Sequence, residues 1–215
     1  MIGSFLNVVI ARLPEKDKEK QSLGGRSRCP KCGAHIRAGD NIPVLSWLIL
    51  RGKCRDCKQP IAARYPLVEM LNCALWAAVA ADAATTGRLV RGVVLMSLLV
   101  AITFIDIDHR IIPNRLTGPG TVVGLALSIA FAPQHWLEFT LSSLCAGAFL
   151  LVTALVYPAG MGGGAIKMAA VMGAFLGRAV VIGLFAGFVA GAVVSIFLLV
   201  RHGSAARKIK IPFGP

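Results

Sequence analysis

Charged residues are scarce in this chain, at 15% of its 215 residues. A soluble domain of this size usually carries about 25%. The shortage is uneven, because long stretches between Pro66 and Val200 are almost free of charge while residues 11–65 are rich in it. Hydrophobic residues make up 56% of the chain. These features argue against an ordinary soluble domain and indicate membrane spans joined to one polar segment.

Acidic residues are also few, 10 against 23 Lys and Arg, which gives a net charge of +13. Residues 11–65 hold 13 of those basic residues and five of the acidic ones, so +8 of the excess lies in one loop. Such a loop is held in the cytoplasm by the positive-inside rule and lies readily against anionic membrane lipid. No helix-turn-helix or RNA-recognition pattern accompanies it, so we expect no nucleic-acid partner.

Six apolar stretches follow the polar loop and predict an all-α polytopic membrane protein. A span needs roughly 20 apolar residues, and the fifth stretch is short and glycine-rich. Residues 1–10 show no signal-peptide pattern and are expected to form the end of a partial first helix. The predicted domains are therefore this partial helix, the polar domain 11–65 and the helical core 66–215. The predicted spans are Leu67–Ala84, Leu89–Ile107, Leu116–Ala132, Leu137–Val156, Ile166–Leu176 and Val180–Val200.

Alternation of these spans predicts which turns share a side of the membrane. If residues 11–65 are cytoplasmic, then residues 106–115, 158–165 and 201–210 are cytoplasmic as well, and most basic residues outside the loop fall there. Two chemically distinctive turns, Asp106–Asn114 and Gly160–Ala165, are thereby expected at one depth. Because glycines permit close backbone approach, the second turn is able to lie tightly against the first.

Four cysteines in the polar domain form two CxxC pairs, Cys29 with Cys32 and Cys54 with Cys57. Two such knuckles complete a tetrahedral zinc site. Disulfides in an oxidising compartment or an unmetallated loop are alternatives, but the basic loop indicates the reducing cytoplasm and favours structural zinc. Four thiolates leave no open position for a catalytic water. The other two cysteines lie inside predicted spans and are expected to be small buried residues.

Asp106 ends an otherwise apolar run, where an ionised carboxylate costs roughly 2.5–3.5 kcal/mol at the centre of a span. Such residues are usually functional, but Asp106 and Asp108 can also be interfacial charges solvated beside His109, and position alone favours neither reading. Aspartyl proteolysis needs two neighbouring carboxylates that share one proton. Asp108 lies two residues along the helix and points to a different face. The residues alone therefore supply one candidate catalytic carboxylate.

Several of these motifs, in order along the chain, resemble those of the type IV prepilin peptidases, which process prepilins and the pseudopilins of type II secretion. The resemblance runs through nearly the whole chain. Besides the two CxxC pairs, it rests on Gly3–Ile10 with Arg12–Pro14, Asp40–Pro43, Leu45–Trp47, Leu50–Gly52, Arg64–Pro66 with Glu69, Ile105–Asp106, Ile112–Asn114 and Ile211–Pro215.

The resemblance implies an intramembrane aspartyl protease of the GxGD type in a bacterial inner membrane, with its zinc domain and active site facing the cytoplasm. It implies that Asp106 is the first catalytic aspartate and that the second, in a Gly-x-Gly-Asp motif, corresponds to Ala165. Lys167 and Gly173–Gly177 continue the family pattern, so a single motif position departs. We expect this chain to bind prepilin without cleaving it. A deliberate substitution explains one isolated departure better than a degenerate natural copy does.

Members with the four-cysteine domain also methylate the new N-terminus with S-adenosylmethionine, so the resemblance implies this possible second activity and cofactor. No glycine-rich nucleotide fingerprint marks a site for it, and we predict no residues for methyl transfer. A methyltransferase with a silent peptidase site and a non-enzymatic pilin-assembly factor stay open as alternatives. A transporter is disfavoured, because the only acids at membrane depth are adjacent. The residues predict no oligomeric state.

Overall fold

The chain folds into α-helices joined by short turns. The computed structural model describes residues 2–14, 24, 27–157 and 162–202. Within these ranges there are two isolated β-bridges but no β-strand, which confirms the predicted all-α class. The helices are α1 (Ile2–Arg12), α2 (Leu45–Ile49), α3 (Arg64–Asp82), α4 (Thr86–His109), α5 (Asn114–Phe131), α6 (Trp136–Val156), α7 (Gly163–Leu176) and α8 (Val180–His202).

Each of the six predicted spans corresponds to one helix, α3 to α8. Among the described residues, three segments are long and apolar enough to cross a membrane: Thr86–His109, Pro133–Val156 and Gly163–Phe197. Helix α3 falls short of that measure, because polar residues such as Arg64, Glu69 and Asp82 lower its mean hydropathy. Helix α7 has only 14 residues, as its short apolar stretch predicted. The chain is a polytopic membrane protein with a small cysteine-bearing domain between α1 and α3.

Local signals explain where α4 begins and ends. The side chain of Thr85 accepts a hydrogen bond from the backbone N–H of Arg88 and caps its first turn. At its other end Arg110 adopts φ 54° and ψ 38°, and its N–H donates to the carbonyl of Asp106. Pro113 then sets the start of α5, because proline is unable to donate a helix hydrogen bond. The chain thus leaves α4 at Arg110, one turn after Asp106, and enters α5 at Asn114.

Helix α7 is held between α5 and α6 by buried hydroxyl groups and by a close approach. Ser128 on α5 donates to the carbonyl of Ala174 at 2.8 Å, and Ser143 on α6 donates to that of Ala170 at 2.8 Å. A Cβ atom on Gly173 would lie 2.5 Å from the carbonyl oxygen of Ser142, so glycine permits the contact. These contacts fix the position of the helix that begins at the second predicted turn.

The cysteines of the predicted spans, Cys73 and Cys145, are exposed on their helices, so the prediction that they are buried is wrong. Cysteine is small enough for either the inner or the outer face of an apolar helix, and composition does not distinguish the two. Gly160 and Met161 of the second turn, and the motif Ile211–Pro215, lie outside the described residues.

Candidate functional site

The first predicted turn presents two carboxylates on different faces of α4, as their spacing predicts. Asp106 is only 5% exposed, whereas the side chain of Asp108 is 30% exposed. Ile105 beside Asp106 is fully buried against residues of α1 and α3, including Val9 and Val68. Asp106 is therefore a carboxylate in the last turn of a packed helix, which favours a functional role over a solvated interfacial charge.

The second turn packs directly against the segment that follows Asp106. A Cβ atom on Gly164 would lie 2.9 Å from Ile112, so the absence of a side chain lets the two turns touch. Lys167 on α7 donates from Nζ to Oδ1 of Asn114 on α5 at 2.5 Å. Sequence reasoning noted both residues as motif members and missed their pairing. No local signal reveals it, because 53 residues separate them.

Ala165 stands in the first turn of α7, where its N–H donates to the carbonyl of Gly162 at 3.1 Å. Its methyl group packs against a cluster of Ala146, Leu150, Ala169 and Val180. The structure therefore joins the two turns through Ile112, Asn114 and their partners on α7. The pairing of position 165 with Asp106 stays a prediction.

The four cysteines of the polar domain converge as their spacing predicts. Their sulfur atoms all lie within 4.8 Å of one another, and Sγ of Cys29 is 3.9 Å from Sγ of Cys57. Tetrahedral zinc with Zn–S bonds of about 2.3 Å requires sulfur atoms about 3.8 Å apart. All four thiols are free. The donor set therefore fits a metal such as zinc, and its four sulfur ligands suit a structural site.

Both CxxC knuckles end in a residue with positive φ whose N–H donates to the carbonyl of the first cysteine. After the first pair, Gly33 has φ 73° and its N–H donates to the carbonyl of Cys29 at 2.8 Å. After the second pair, Lys58 has φ 59° and donates likewise to Cys54 at 3.1 Å. Glycine adopts positive φ readily, whereas a lysine with positive φ is uncommon. The left-handed residue in each knuckle turns the chain sharply around the sulfur atoms.

Two of the four thiols, Cys29 and Cys57, have pKa values that are shifted in opposite directions. Backbone N–H groups of Cys32 and Lys31 point at the sulfur of Cys29 and lower the pKa of that thiol to about 7. For Cys57, the Gln59 backbone N–H acts in the same direction, but burial and the three neighbouring thiols raise its pKa to about 11. Zinc binding must therefore displace protons that the apo cluster retains.

A cavity of about 440 Å³ lies between the cysteine domain and the helices α1 and α3. Trp47, Tyr65 and Glu69 line it together with Asn7 of α1. Glu69 accepts a hydrogen bond from the N–H of Val44 at 2.8 Å, and Asn7 donates to the carbonyl of Tyr65 at 3.2 Å. The cavity thus combines aromatic surface with a positioned carboxylate, and sequence reasoning did not predict it.

Comparison with known proteins agrees with these features. A model of the bacterial peptidase A24 N-terminal domain matches residues 1–83, and one of the type IV leader peptidase family matches residues 93–196. Three similar curated proteins are each named prepilin leader peptidase/N-methyltransferase. The Myxococcus xanthus protein is 40% identical over 95% of this chain and 62% of its own length. The Aeromonas hydrophila protein is 40% identical over 100% and 83%, and the Neisseria gonorrhoeae protein 34% over 94% and 80%. No solved structure matches.

Proposed function

The chain belongs to the type IV leader peptidase family, and from this membership we propose that its scaffold is that of an intramembrane aspartyl endopeptidase. Its substrates are type IV prepilins and the pseudopilins of type II secretion, from which it removes the leader peptide. The names of its relatives support the substrate class. The observation that carries the proposal is the contact of Gly164 with Ile112, which sets the second turn beside the segment after Asp106.

The chemistry of such a site requires two carboxylates that share one proton. One removes a proton from the attacking water while the other, still protonated, polarises the scissile carbonyl. Asp106 provides one carboxylate, and the Gly-x-Gly motif places Ala165 where the family has the other. Because a methyl group neither accepts nor donates a proton, this chain binds prepilin but does not cleave it. Its zinc domain and active site face the cytoplasm of the inner membrane.

Restoring the second carboxylate tests this proposal. Ala165→Asp is expected to cleave a co-reconstituted prepilin, while Ala165→Asn, of nearly equal size, stays inactive. Loss of one acid–base group typically costs 10²–10⁴ in rate, so Asp106→Asn in the Ala165→Asp background should lose activity by at least that factor. Cleavage by the unaltered chain, or a folded but inactive Ala165→Asp variant, would contradict the proposed site.

Methyl transfer is the second candidate function, and the cavity beside the cysteine domain favours it. Its volume lies within the roughly 300–1,000 Å³ of small-molecule sites. Trp47 and Tyr65 offer aromatic faces for an adenine ring, and Glu69 a carboxylate for ribose hydroxyls or a sulfonium charge. These residues fit S-adenosylmethionine, which supplies an activated methyl group when bound. They would hold and orient it beside the pilin N-terminus.

Binding and methylation are measurable here without cleavage. The unaltered chain should bind radiolabelled S-adenosylmethionine in equilibrium dialysis and methylate a pilin that already lacks its leader. Trp47→Ala should weaken this binding, whereas Trp76→Ala on α3, outside the cavity, should not. If the chain neither binds the cofactor nor methylates, and Ala165→Asp does not cleave, a non-enzymatic assembly role is the better interpretation.

A further inference from the structure

Arg64 connects the cysteine domain to the helix end that carries Asp106. It is the first residue of α3 and follows Cys57 by seven positions. Its guanidinium forms an ion pair with Asp108 through Nη1 and donates from Nη2 to the carbonyl of Phe104 at 3.3 Å. The same group lies 5.2 Å from the centroid of the Phe104 ring. One side chain thus makes three contacts with the last turns of α4.

The two residues that Arg64 contacts lie on either side of Asp106 in the sequence. Phe104 and Asp108 are four residues apart and share one face of the helix, whereas Asp106, halfway between them, points away from that face. Arg64 therefore contacts the last turns of α4 on the face opposite the buried carboxylate of Asp106. Because the two contacted residues lie one helical turn apart, these contacts restrict both the rotation of the end of α4 and its movement along the helix axis.

Electrostatics gives the ion pair a second effect. The C-terminal end of a helix carries partial negative charge, so carboxylates there are unfavourable. Helix α4 ends with two of them, Asp106 and Asp108. Arg64 neutralises the partly exposed Asp108, whose side chain is 30% exposed, and so reduces the negative potential around Asp106. Without Arg64, Asp108 would lose this ion pair and the end of α4 would lose a restraint from α3.

We propose that Arg64 is a positioning residue for the peptidase site. It fixes the rotation and height of Asp106, and through it the folding of the zinc domain controls the geometry of the catalytic turn. The proposal rests on the proposed function for its catalytic consequence. Its structural part, the restraint of residues 104–110 by Arg64, is testable in the chain as it stands.

Arg91 provides a matched control at the opposite end of α4. Its Nε donates to the carbonyl of Gly87 at 3.2 Å, and its guanidinium lies 4.8 Å from the centroid of the Phe139 ring. Arg91→Gln therefore removes a hydrogen bond to a carbonyl group and a contact with an aromatic ring, and both lie far from residues 104–110. We expect α3 and α4 to stay packed together in Arg64→Gln, because Trp76 on α3 still donates a hydrogen bond to Ser97 on α4 at 3.0 Å and Val68 stays buried.

The first measurement is hydrogen exchange of the unaltered chain and its variants. Arg64→Gln should speed exchange of amides 104–110 while sparing α6 and α7, and Arg91→Gln should not. Zinc chelation should raise exchange of the same amides in the parent, with little further increase in Arg64→Gln. Unchanged exchange at residues 104–110 in Arg64→Gln, or an equal increase in Arg91→Gln, would overturn the proposal.

The second measurement is cleavage kinetics in the Ala165→Asp background. A small misplacement of a reacting group can cost on the order of 100-fold, so Arg64→Gln should lower kcat by about 10- to 100-fold with KM nearly unchanged. Arg64→Lys should recover part of this loss, since it keeps the charge but not the two-pronged geometry. A rise in KM alone would instead make Arg64 a substrate-binding residue. An inactive Ala165→Asp parent would refute the proposed function, and hydrogen exchange would still decide the role of Arg64.

Discussion

The cysteine domain and the helical core are stabilised by different physical means. Within the described part of residues 27–63, nearly all residues are exposed or half-buried, and the longest helix has five residues. The core instead contains clusters of buried side chains around Leu95, Val100 and Ala169, and serines that join its helices. A segment with so little buried apolar surface needs a metal or another cross-link to hold its fold.

The two parts of the chain therefore differ in what can hold them: a four-cysteine cluster that fits a metal in one, and packed side chains in the other. Each should respond to changes that leave the other intact. Arg64 is the contact through which we expect the two parts to communicate, and the experiments below test the separation itself.

Removal of the metal ligands should have the largest effect. Binding of structural zinc contributes an apparent 10–16 kcal/mol to folding in small zinc domains, so Cys29→Ser with Cys57→Ser should unfold residues 29–57. Limited proteolysis or hydrogen exchange would show this loss, with α6 and α7 unchanged. Cys73→Ser, at an exposed position on α3, is the matched control. A protease-resistant domain after complete zinc removal would mean that packing alone holds it.

A side chain added where α6 and α7 approach each other closely should lower the stability of the helical core and leave the cysteine domain unchanged. In Gly173→Ala the new Cβ atom would meet the backbone of Ser142 and Ser143 at 2.5–2.6 Å, and backbone cannot move aside easily. Overpacking of this kind typically costs about 1–3 kcal/mol. Thermal unfolding in detergent should show a lower midpoint, while zinc content stays constant.

Gly187→Ala controls for helix propensity in that experiment, since nothing lies within 4 Å of the new Cβ atom. Helix propensity favours alanine over glycine by about 1 kcal/mol, so this variant should be neutral or slightly more stable. Equal stability of the Gly173 and Gly187 variants would show that α6 and α7 adjust freely to each other.

The hydrogen bond between Lys167 and Asn114, which joins the two turns, should give a smaller but measurable coupling free energy. Lys167→Met and Asn114→Ala remove the two partners of a 2.5 Å hydrogen bond. Because the pair is exposed, we expect a coupling of about 0.5–1 kcal/mol in a double-mutant cycle of unfolding free energies. Strictly additive effects would indicate that the turns are held by Gly164 and Ile112 without this bond.

Asp40→Asn should give the smallest effect, confined to the cysteine domain. Arg55 donates two hydrogen bonds to this carboxylate, at 2.9 and 2.6 Å, and holds the pKa of Asp40 below its ordinary value of 3.8. A carboxyl group whose pKa is lowered in the folded state stabilises it above that ordinary value.

The pH dependence follows from that sign. The stabilisation by Asp40 is fully present near pH 6 and is lost as the pH falls below 3.8 towards the lowered pKa. Asp40→Asn should therefore slightly reduce the stability of the zinc-loaded domain at pH 6. As the pH falls below 3.8 towards the lowered pKa, the carboxyl of Asp40 in the parent chain gradually loses its charge, and the difference should shrink. A difference that grows on acidification would exclude the ion pair as its cause.

Helix positions were predictable because membrane spans leave a strong local pattern. The predicted span Leu137–Val156 differs from α6 by one residue, and Val180–Val200 ends two residues before α8 does. The start of α3 was placed three residues late, at Leu67, since Arg64 and Tyr65 are polar although helical. Hydropathy finds the part of a helix that lies in lipid and misses polar turns beyond it.

The four-cysteine cluster was likewise predictable, because CxxC spacing is a local property of the chain. The cavity lined by Trp47 and Glu69 was not, since its walls come from α1, the cysteine domain and α3. The exposure of Cys73 and Cys145 was also predicted wrongly. Facing lipid or facing a neighbouring helix looks the same in an apolar sequence.

Local patterns in the sequence were enough to predict the membrane class, the order of the helices, the group of four cysteines and Asp106 as a carboxylate at the end of an apolar run. All of these depend on residue type and on spacing within a few turns of chain. The tertiary structure alone shows that Gly164 meets Ile112 and that Lys167 donates a hydrogen bond to Asn114. It also shows that Arg64 contacts Phe104 and Asp108, on the face of α4 opposite Asp106. Such contacts join residues 40 or more positions apart, and they arise from how the helices pack rather than from any local pattern.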